Sequence, residues 1–571
     1  MGRSRSERVR GLLRRLIPEV NQQMVTAFPT LVSMLLYKLP WLISLRFVGM
    51  IGTEELAAAA LAATICNVTG LSLSVGLSSA LTTLTGQARG RLLQQRKLCT
   101  TTTESGPGLN SRENTTNSAG EKTCLLDASR NATVESAKPL LPLVFLYRGI
   151  AIQFAFVIPV GIWWLVGIQP TLIRLGQPEQ LSLMTQSYLR ILTPGLWSYS
   201  LNWTLTAWLQ TIEMSDVPGY AAAAGLAIHV PCNYFFVYFL GWGYLGVAVA
   251  TVVFQLIQPF LILSYLFGTK QGRDRFLHQV AADAIGRTEL SFWKEAQLAL
   301  FDASGIRTYL GMAIPGIVII SEWWASEVAI FLSGQLTPSS ELALGGMTLY
   351  QSINTFCFMF PVAFGIAGST RVGNQLGAND PRGAAFAGHV SIVCAGLSSA
   401  ILSLILFITP HTFFPSLFAP LQQDLVAESS RTIPLLALYV LADGIQSAFN
   451  GIVKGCGRQT ITMPIVIFAY WIVGVPLAYF MAFVHHDGTT TCTSGPTHFG
   501  CGIVGLVFGM TVGTWTHMLL LGVVLLFTIR WEGEAQAARE RLSAAESRAT
   551  TLISPGKTAD LRDQDALMLS M

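Results

Sequence analysis

The sequence predicts an all-α integral membrane protein, with twelve transmembrane helices in two parallel-repeat six-helix bundles around a central cleft. Three observations lead there. Of 571 residues, 51% are hydrophobic and only 12% charged, about half the charged fraction of a soluble chain. Apolar stretches of about 20 residues, enough to cross hydrocarbon as helix, recur along almost the whole chain. The landmarks of the first half return in the second.

The twelve stretches are 23–49, 56–86, 139–168, 187–212, 218–240, 244–268, 309–334, 343–368, 386–409, 432–453, 461–484 and 503–529. Several contain Gly or Pro, which membrane helices tolerate. Placing the N-terminus in the cytosol and alternating sides puts 30 of the 36 Lys and Arg residues in cytosolic pieces. That is the bias of the positive-inside rule, and it sets both termini in the cytosol. The basic start RSRSERVRGLLRR has no short apolar core or cleavage site, so no signal peptide is expected.

The repeat is read landmark by landmark. Pro29 matches Pro315, and GQARG at 86–90 matches GNQLG at 373–377, with offsets of 286 and 287. Pro194 then matches Pro434 and Pro231 matches Pro476, with offsets of 240 and 245. The fall locates an insert at 91–138, a Ser-, Thr-, Gly- and Asn-rich segment expected to be disordered. The predicted organisation is a basic N-terminus 1–22, a bundle 23–268, a linker 269–308, a second bundle 309–529 and a tail 530–571. Six spans per copy give both copies one orientation, a common transporter plan.

GWGYLG at 241–246 has the G-x-G-x-x-G spacing, which recurs as GCGIVG at 500–505. A dinucleotide loop needs a strand before it and a helix after. Here both copies stand between long apolar runs, at the outer turn between the fifth and sixth helices of each bundle. Glycines there permit a tight turn and close helix contact.

Carboxylates inside spans carry the chemistry. They are Glu322 and Glu327 in the seventh span and Asp443 in the tenth. A mid-bilayer carboxylate costs about 2.5–3.5 kcal/mol on the insertion scale and is a functional hypothesis by default. Glu322 lies roughly 20 Å along the helix from Tyr309, and Asp443 roughly 18 Å from Arg431, so both fall near mid-membrane. Such a pair can hold a proton or a cationic ligand. The alternative is a carboxyl that merely fixes helix packing. Glu327, about 140° round the helix from Glu322, faces another side of the cavity or its outer rim. Trp323 and Trp324 flank Glu322, and a cavity-facing Trp can hold an organic cation by its ring face.

The first bundle has no matching acids. Asn67, Thr69, Tyr199, Asn202, His229, Asn233 and Tyr234 could line a pocket or bond neighbouring helices. Lys38 is a cation within the first span, able to snorkel or to pair with a carboxylate across the cleft. Cys492 and Cys501 frame an outer loop where a disulfide is plausible. Asn114 and Asn131, in the insert, match the glycosylation pattern but would be cytosolic.

EWWASEVAIFLSG followed by MFPVAFGIAGSTRVGNQLGANDPRGA resembles the multidrug and toxic compound extrusion (MATE) transporters, eukaryotic branch. So do ADGIQSAFNGIVKGCGRQ and CNVTGLSLSVGLSSALTTLTGQARG, and the resemblance covers roughly 21–530. It implies an antiporter exporting organic cations and drug-like compounds in exchange for protons, or sodium in some members, with no other cofactor. The family's seventh-helix acids fall on Glu322 and Glu327, its tenth-helix acid on Asp443, the Gln after it on Gln446 and its polar second-helix residue on Asn67. Gln351 stands where animal members carry a further Glu, as an uncharged residue does in plant members. Lys38 and the long insert are departures from the family.

No P-loop supports an ATP-driven pump, and no filter-like loop supports a channel. The alternative reading is a lipid-linked saccharide flippase of the same broad fold. It would favour a cationic cavity, which Lys38 allows and the three acids oppose. Expected partners are a cationic small molecule and membrane lipid, without nucleic acid, for a monomer in the plasma membrane or a vacuole-like membrane.

Overall fold

The computed structural model describes residues 5–104, 139–285, 292–420, 422–490 and 500–553. The first lobe comprises α1 (Arg5–Gly49), α2 (Thr53–Cys66), α3 (Ser72–Leu77), α4 (Ser79–Glu104), α5 (Leu141–Val166), α6 (Glu179–Thr211), α7 (Asp216–Tyr234) and α8 (Gly243–Leu263). Two short helices, α9 (Lys270–Gln279) and α10 (Phe292–Phe301), form the linker. The second lobe has α11 (Ala303–Ser333), α12 (Ser340–Gly377), α13 (Pro381–Ile408), α14 (Ile433–Cys456), α15 (Gln459–Val466) and α16 (Ile503–Thr528), and α17 (Trp531–Ile553) follows it.

Among the described residues, eleven helical stretches are long and apolar enough to cross a membrane. The remaining expected span is α6, 33 residues long. It falls short in apolarity because it carries Thr185, Gln186, Thr193, Ser198, Ser200, Asn202 and Thr204, all buried inside the lobe. Their hydroxyls donate to helix carbonyls one turn back or across to neighbours, as from Ser198 to Gln255 O at 2.7 Å. A helix walled by other helices need not be apolar all round.

The duplication is visible in backbone detail. A π-helical stretch, Phe235–Phe239, follows Pro231, and Phe480–His485 follows Pro476 at the same distance. Gly241, Gly243, Gly500 and Gly502 all take positive φ, at 69°, 56°, 94° and 61°. The G-x-G-x-x-G pairs are therefore turns that only glycine adopts cheaply. The insert needs correction at its start. Residues 91–104 are not disordered but continue α4 as helix, because α4 packs there against the rest of the lobe, with Leu92 buried. Residues 105–138, including Asn114 and Asn131, lie outside the described residues, as does Cys492. Cys501 is disulfide-bonded.

The lobes close on each other at the end that carries GQARG and GNQLG. There α4 crosses α12 with Gly86 against Gly373, and a Cβ on Gly90 or Gly377 would run into Asn374 O or Gln87 O. Farther along, a Cβ on Gly76 would meet the Ile317 backbone. Arg371 of α12, buried, donates Nε and Nη2 to Glu19 of α1 at 3.0 and 2.8 Å. Glu213, at the end of α6, holds Arg89 at 3.0 Å and lies 3.9 Å from Arg371. Tyr309 Oη donates to Leu77 O at 3.1 Å. Nearest the opposite end, among the described residues, Trp324 Nε1 donates to Ser72 Oγ at 2.9 Å.

The tail expected at 530–571 is in part an ordered helix, α17, laid over this closed end. Ala535, Ala538, Leu542, Ala545 and Ala549 recur at three- and four-residue spacing and are buried. Arg541 donates to Gln87 Oε1 of the first lobe at 2.7 Å and to Cys456 O of the second at 3.0 Å. Arg91–Glu546 at 2.8 Å and Arg458–Glu534 at 3.1 Å repeat the bridge to each lobe.

Two outcomes follow from this junction. Gly90→Ala and Gly377→Ala should each destabilise the protein by about 1–3 kcal/mol, the cost of overpacking. Gly311→Ala, where a Cβ meets nothing within 4 Å, should leave the thermal midpoint in detergent unchanged; equal effects at all three would refute the close crossing. Burial alone would raise the Glu213 carboxyl, but Arg89, backed by Arg371, outweighs it and holds it below the usual range. A depressed carboxylate stabilises above its ordinary pKa of about 4.3 and loses that contribution as pH falls through the lower folded value. The gap in thermal midpoint between wild type and Glu213→Gln should therefore be full at neutral pH and shrink on acidification. A gap independent of pH would show that the charge is not what matters.

Candidate functional site

Glu322 points into the second lobe, and the helix period explains why. It stands six residues from Gly316, whose missing side chain lets α11 press against Ser79 and Gly76 of the first lobe. Six residues is about 240° of rotation, so when Gly316 faces the first lobe Glu322 faces the second. There Gln446 of α14 donates Nε2 to Glu322 Oε2 at 2.7 Å. Tyr470 donates its hydroxyl to Gln446 Oε1 at 3.3 Å and sits 3.2 Å from Thr514 Oγ1. The ring of His517, on α16, lies edge-on to Tyr470 with centroids 5.7 Å apart.

His517 Nδ1 is 3.5 Å from Glu322 Oε2, too long for a good hydrogen bond. Both ring nitrogens are buried without a hydrogen-bond partner among the described residues. Asp443, one turn before Gln446 on α14, is 6% exposed, feels the charge of Glu322, and acts electrostatically on Tyr350 and Tyr439. Glu322 and Asp443 thus stand in one lobe, Gln446, which the resemblance implied, bonds Glu322, and Glu322 is the half-buried acid of the two.

Sequence reasoning missed His517, Tyr470 and Thr514. The signal for His517 was available: an ionisable residue within the twelfth span deserves the same attention as a carboxylate. Tyr470 and Thr514 carry no such mark, since a hydroxyl in a membrane helix commonly bonds its own backbone, as Thr514 does to Met510 O.

The other predicted residues lie elsewhere. Trp323 is 39% exposed, whereas Trp324 is half-buried against Ser72. Glu327 is half-buried on the inter-lobe side of α11. Gln351 is half-buried on α12. Asn67 is exposed where α2 gives way to the π-helical stretch Asn67–Leu71. In the first lobe Asn202 Nδ2 donates to Tyr37 Oη at 2.6 Å, and Tyr199 meets the Tyr37 ring edge-on at 6.1 Å. His229 is a structural hub, with Ser44 Oγ, Pro40 O and Ala250 O at 3.1–3.2 Å and Asn233 Nδ2 at 3.0 Å. It anchors α1 at Pro40.

This arrangement has known relatives. The MatE family model matches residues 29–96, 142–235 and 316–480, and passes over the stretch that holds the insert. Protein DETOXIFICATION 12 of Arabidopsis thaliana is 29% identical over 507 residues, 88% of each chain. Multidrug and toxin extrusion protein 1 of Danio rerio is 25% identical, over 92% of this chain and 76% of its own. The crystal structure of the eukaryotic MATE transporter AtDTX14 superimposes with a TM-score of 0.72 at 26% identity, over 92% of this chain and 99% of that one. With more than half of its residues matched by the family model, the chain belongs to the MATE family: it is a multidrug and toxin extrusion transporter of the membrane, not an enzyme.

Proposed function

We propose that the protein is an antiporter that exports organic cations and drug-like compounds in exchange for protons, by alternating opening of the cleft between its lobes. The carrying observation is Glu322, half-buried in the second lobe with Gln446 at 2.7 Å and His517 at 3.5 Å. One half-buried carboxylate serves either a cation or a proton, because protonation removes the charge that a cation needs. Gln446 fixes the carboxylate's direction, Tyr470 fixes Gln446, and Thr514 meets Tyr470. Asp443, buried in the same lobe, is coupled to Glu322, and two neighbouring carboxyls do not ionise independently.

The positive-inside bias assigns the closed end and both termini to the cytosol. Protons from the outer side then reach Glu322 through the cleft, displace the bound cation outward, and leave on the cytosolic side once the junction opens. That opening requires α17 to release one lobe, since Arg541 bonds both. A lipid-linked saccharide flippase is not favoured, because the half-buried carboxylate of Glu322 opposes an anionic headgroup.

Transport of a fluorescent organic cation into proteoliposomes under an imposed pH gradient, with and without sodium, tests the reading. Glu322→Gln and Asp443→Asn should each abolish pH-driven transport in a folded protein. Loss of one charge should weaken cation binding by about tenfold, near 1.4 kcal/mol. The double variant should be little worse than either, as expected of residues acting in one unit. Near-normal transport by Glu322→Gln with unchanged pH dependence would make the carboxylate structural, and dependence on sodium alone would replace the proton.

A further inference from the structure

Lys38 and Glu327 take no part in the cluster around Glu322, yet each is an ionisable residue inside a membrane span. Helix geometry places both in the cleft. On α1, Ala27 packs against Ala363 and Ala367 of the second lobe. Lys38 comes eleven residues later, about 20° from the same line and roughly 16 Å farther from the closed end. On α11, Gly316 packs against the first lobe, and Glu327 again comes eleven residues later. The two side chains thus stand on facing surfaces of opposite lobes, each about three turns beyond a contact between the lobes.

Their surroundings fit that placement. Lys38 is exposed, and neither residue forms an ion pair with any described residue, so they face each other without closing. Each nevertheless acts electrostatically on the other, and Glu327 is the carboxylate that acts on Lys38. Trp41, 40% exposed, lies three residues after Lys38, and Trp323, 39% exposed, lies four before Glu327. Those spacings put one indole beside each charge. An open pair of opposite charges flanked by aromatic surface matches a ligand that is itself bipolar, with an apolar body between its charges.

We propose that Lys38 and Glu327 form a bipolar recognition site in the cleft, at which Lys38 selects substrates bearing a carboxylate or other anionic group and Glu327 takes their cationic end. The proposal deepens the transporter reading and rests on it for the cleft being the substrate path. It assigns to Lys38 the anionic end of a zwitterionic substrate. Lys38 is here a specificity-determining residue, and Glu322 remains the ion-coupling group.

The test uses two dyes that differ by one charge, rhodamine 6G, a cationic ester, and rhodamine B, whose free carboxylate makes it zwitterionic at neutral pH. Binding to the purified full chain is read by fluorescence anisotropy. Wild type should bind both, and Lys38→Met should lose rhodamine B by about tenfold or more, the loss of one charge-assisted contact. It should bind rhodamine 6G as well as wild type or better. Lys38→Arg should restore rhodamine B, which a misfolded variant could not do, and Glu327→Gln should weaken both dyes. An unchanged affinity ratio in Lys38→Met overturns the proposal. So does a gain for rhodamine 6G with no loss for rhodamine B, which would make Lys38 only a counter-charge to Glu327. Failure of rhodamine B to bind wild type overturns it too. Binding requires no gradient, so loss of pH-driven transport with selectivity intact would refute the antiport reading and leave this one standing.

Discussion

Arg371 sets the terms for the rest of the molecule. It is a guanidinium buried where the lobes meet, and an unpaired charge there would cost several kcal/mol. Glu19 meets it with two parallel hydrogen bonds from the other lobe, and Glu213 supplies a second carboxylate at 3.9 Å. Such geometry is attainable only if the helices come close, and they do so because Gly86, Gly90, Gly373 and Gly377 remove the side chains from the crossing. The glycines and the ion pair depend on each other. A partly separated junction would keep the desolvation of Arg371 and lose its partners, so the interface favours being closed or fully open over anything between.

The membrane imposes the second constraint: polar groups inside need partners or a purpose. The two buried histidines show both cases. His229 meets four polar groups at hydrogen-bond distance and fixes α1 at Pro40. His517 is just as buried and has no hydrogen bond at either nitrogen among the described residues, yet its Nδ1 lies 3.5 Å from the carboxylate of Glu322. A ring left unsatisfied costs stability. Its place beside the half-buried acid is what sets it apart from His229.

Much of this was legible in the sequence, and the reasons are physical. Spans and repeat were readable because hydrocarbon thickness dictates length and because Pro and Gly mark backbone breaks that side chains cannot hide. Glu322 and Asp443 stood out because charge is rare in such helices, whereas Gln446 was indicated only by the family resemblance. What escaped depends on packing. The polar face of α6 reads as marginal until its neighbours are known. Residues 91–104 resemble the polar insert that follows them, and only their burial against the lobe reveals a helix. The tail shows an alanine-rich stripe at 535–549 in its spacing, but small residues carry a weak signal, and the bridge from Arg541 to both lobes is a tertiary fact.

The same facts bear on how a proton at one site could move a junction at another. A ligand shifts a conformational equilibrium only by binding its states unequally. Every element relevant to that inequality meets on α11. Its start reaches the first lobe through Tyr309 and Gly316, its middle sends Glu322 into the second lobe, and Trp324 returns to Ser72 two residues later. A change in the hold of Gln446 on Glu322 therefore acts on a helix whose other face is part of the closed interface. Two surfaces on one rigid rod, separated by six residues, need no longer pathway between them: rotation of α11 that relaxes one must disturb the other.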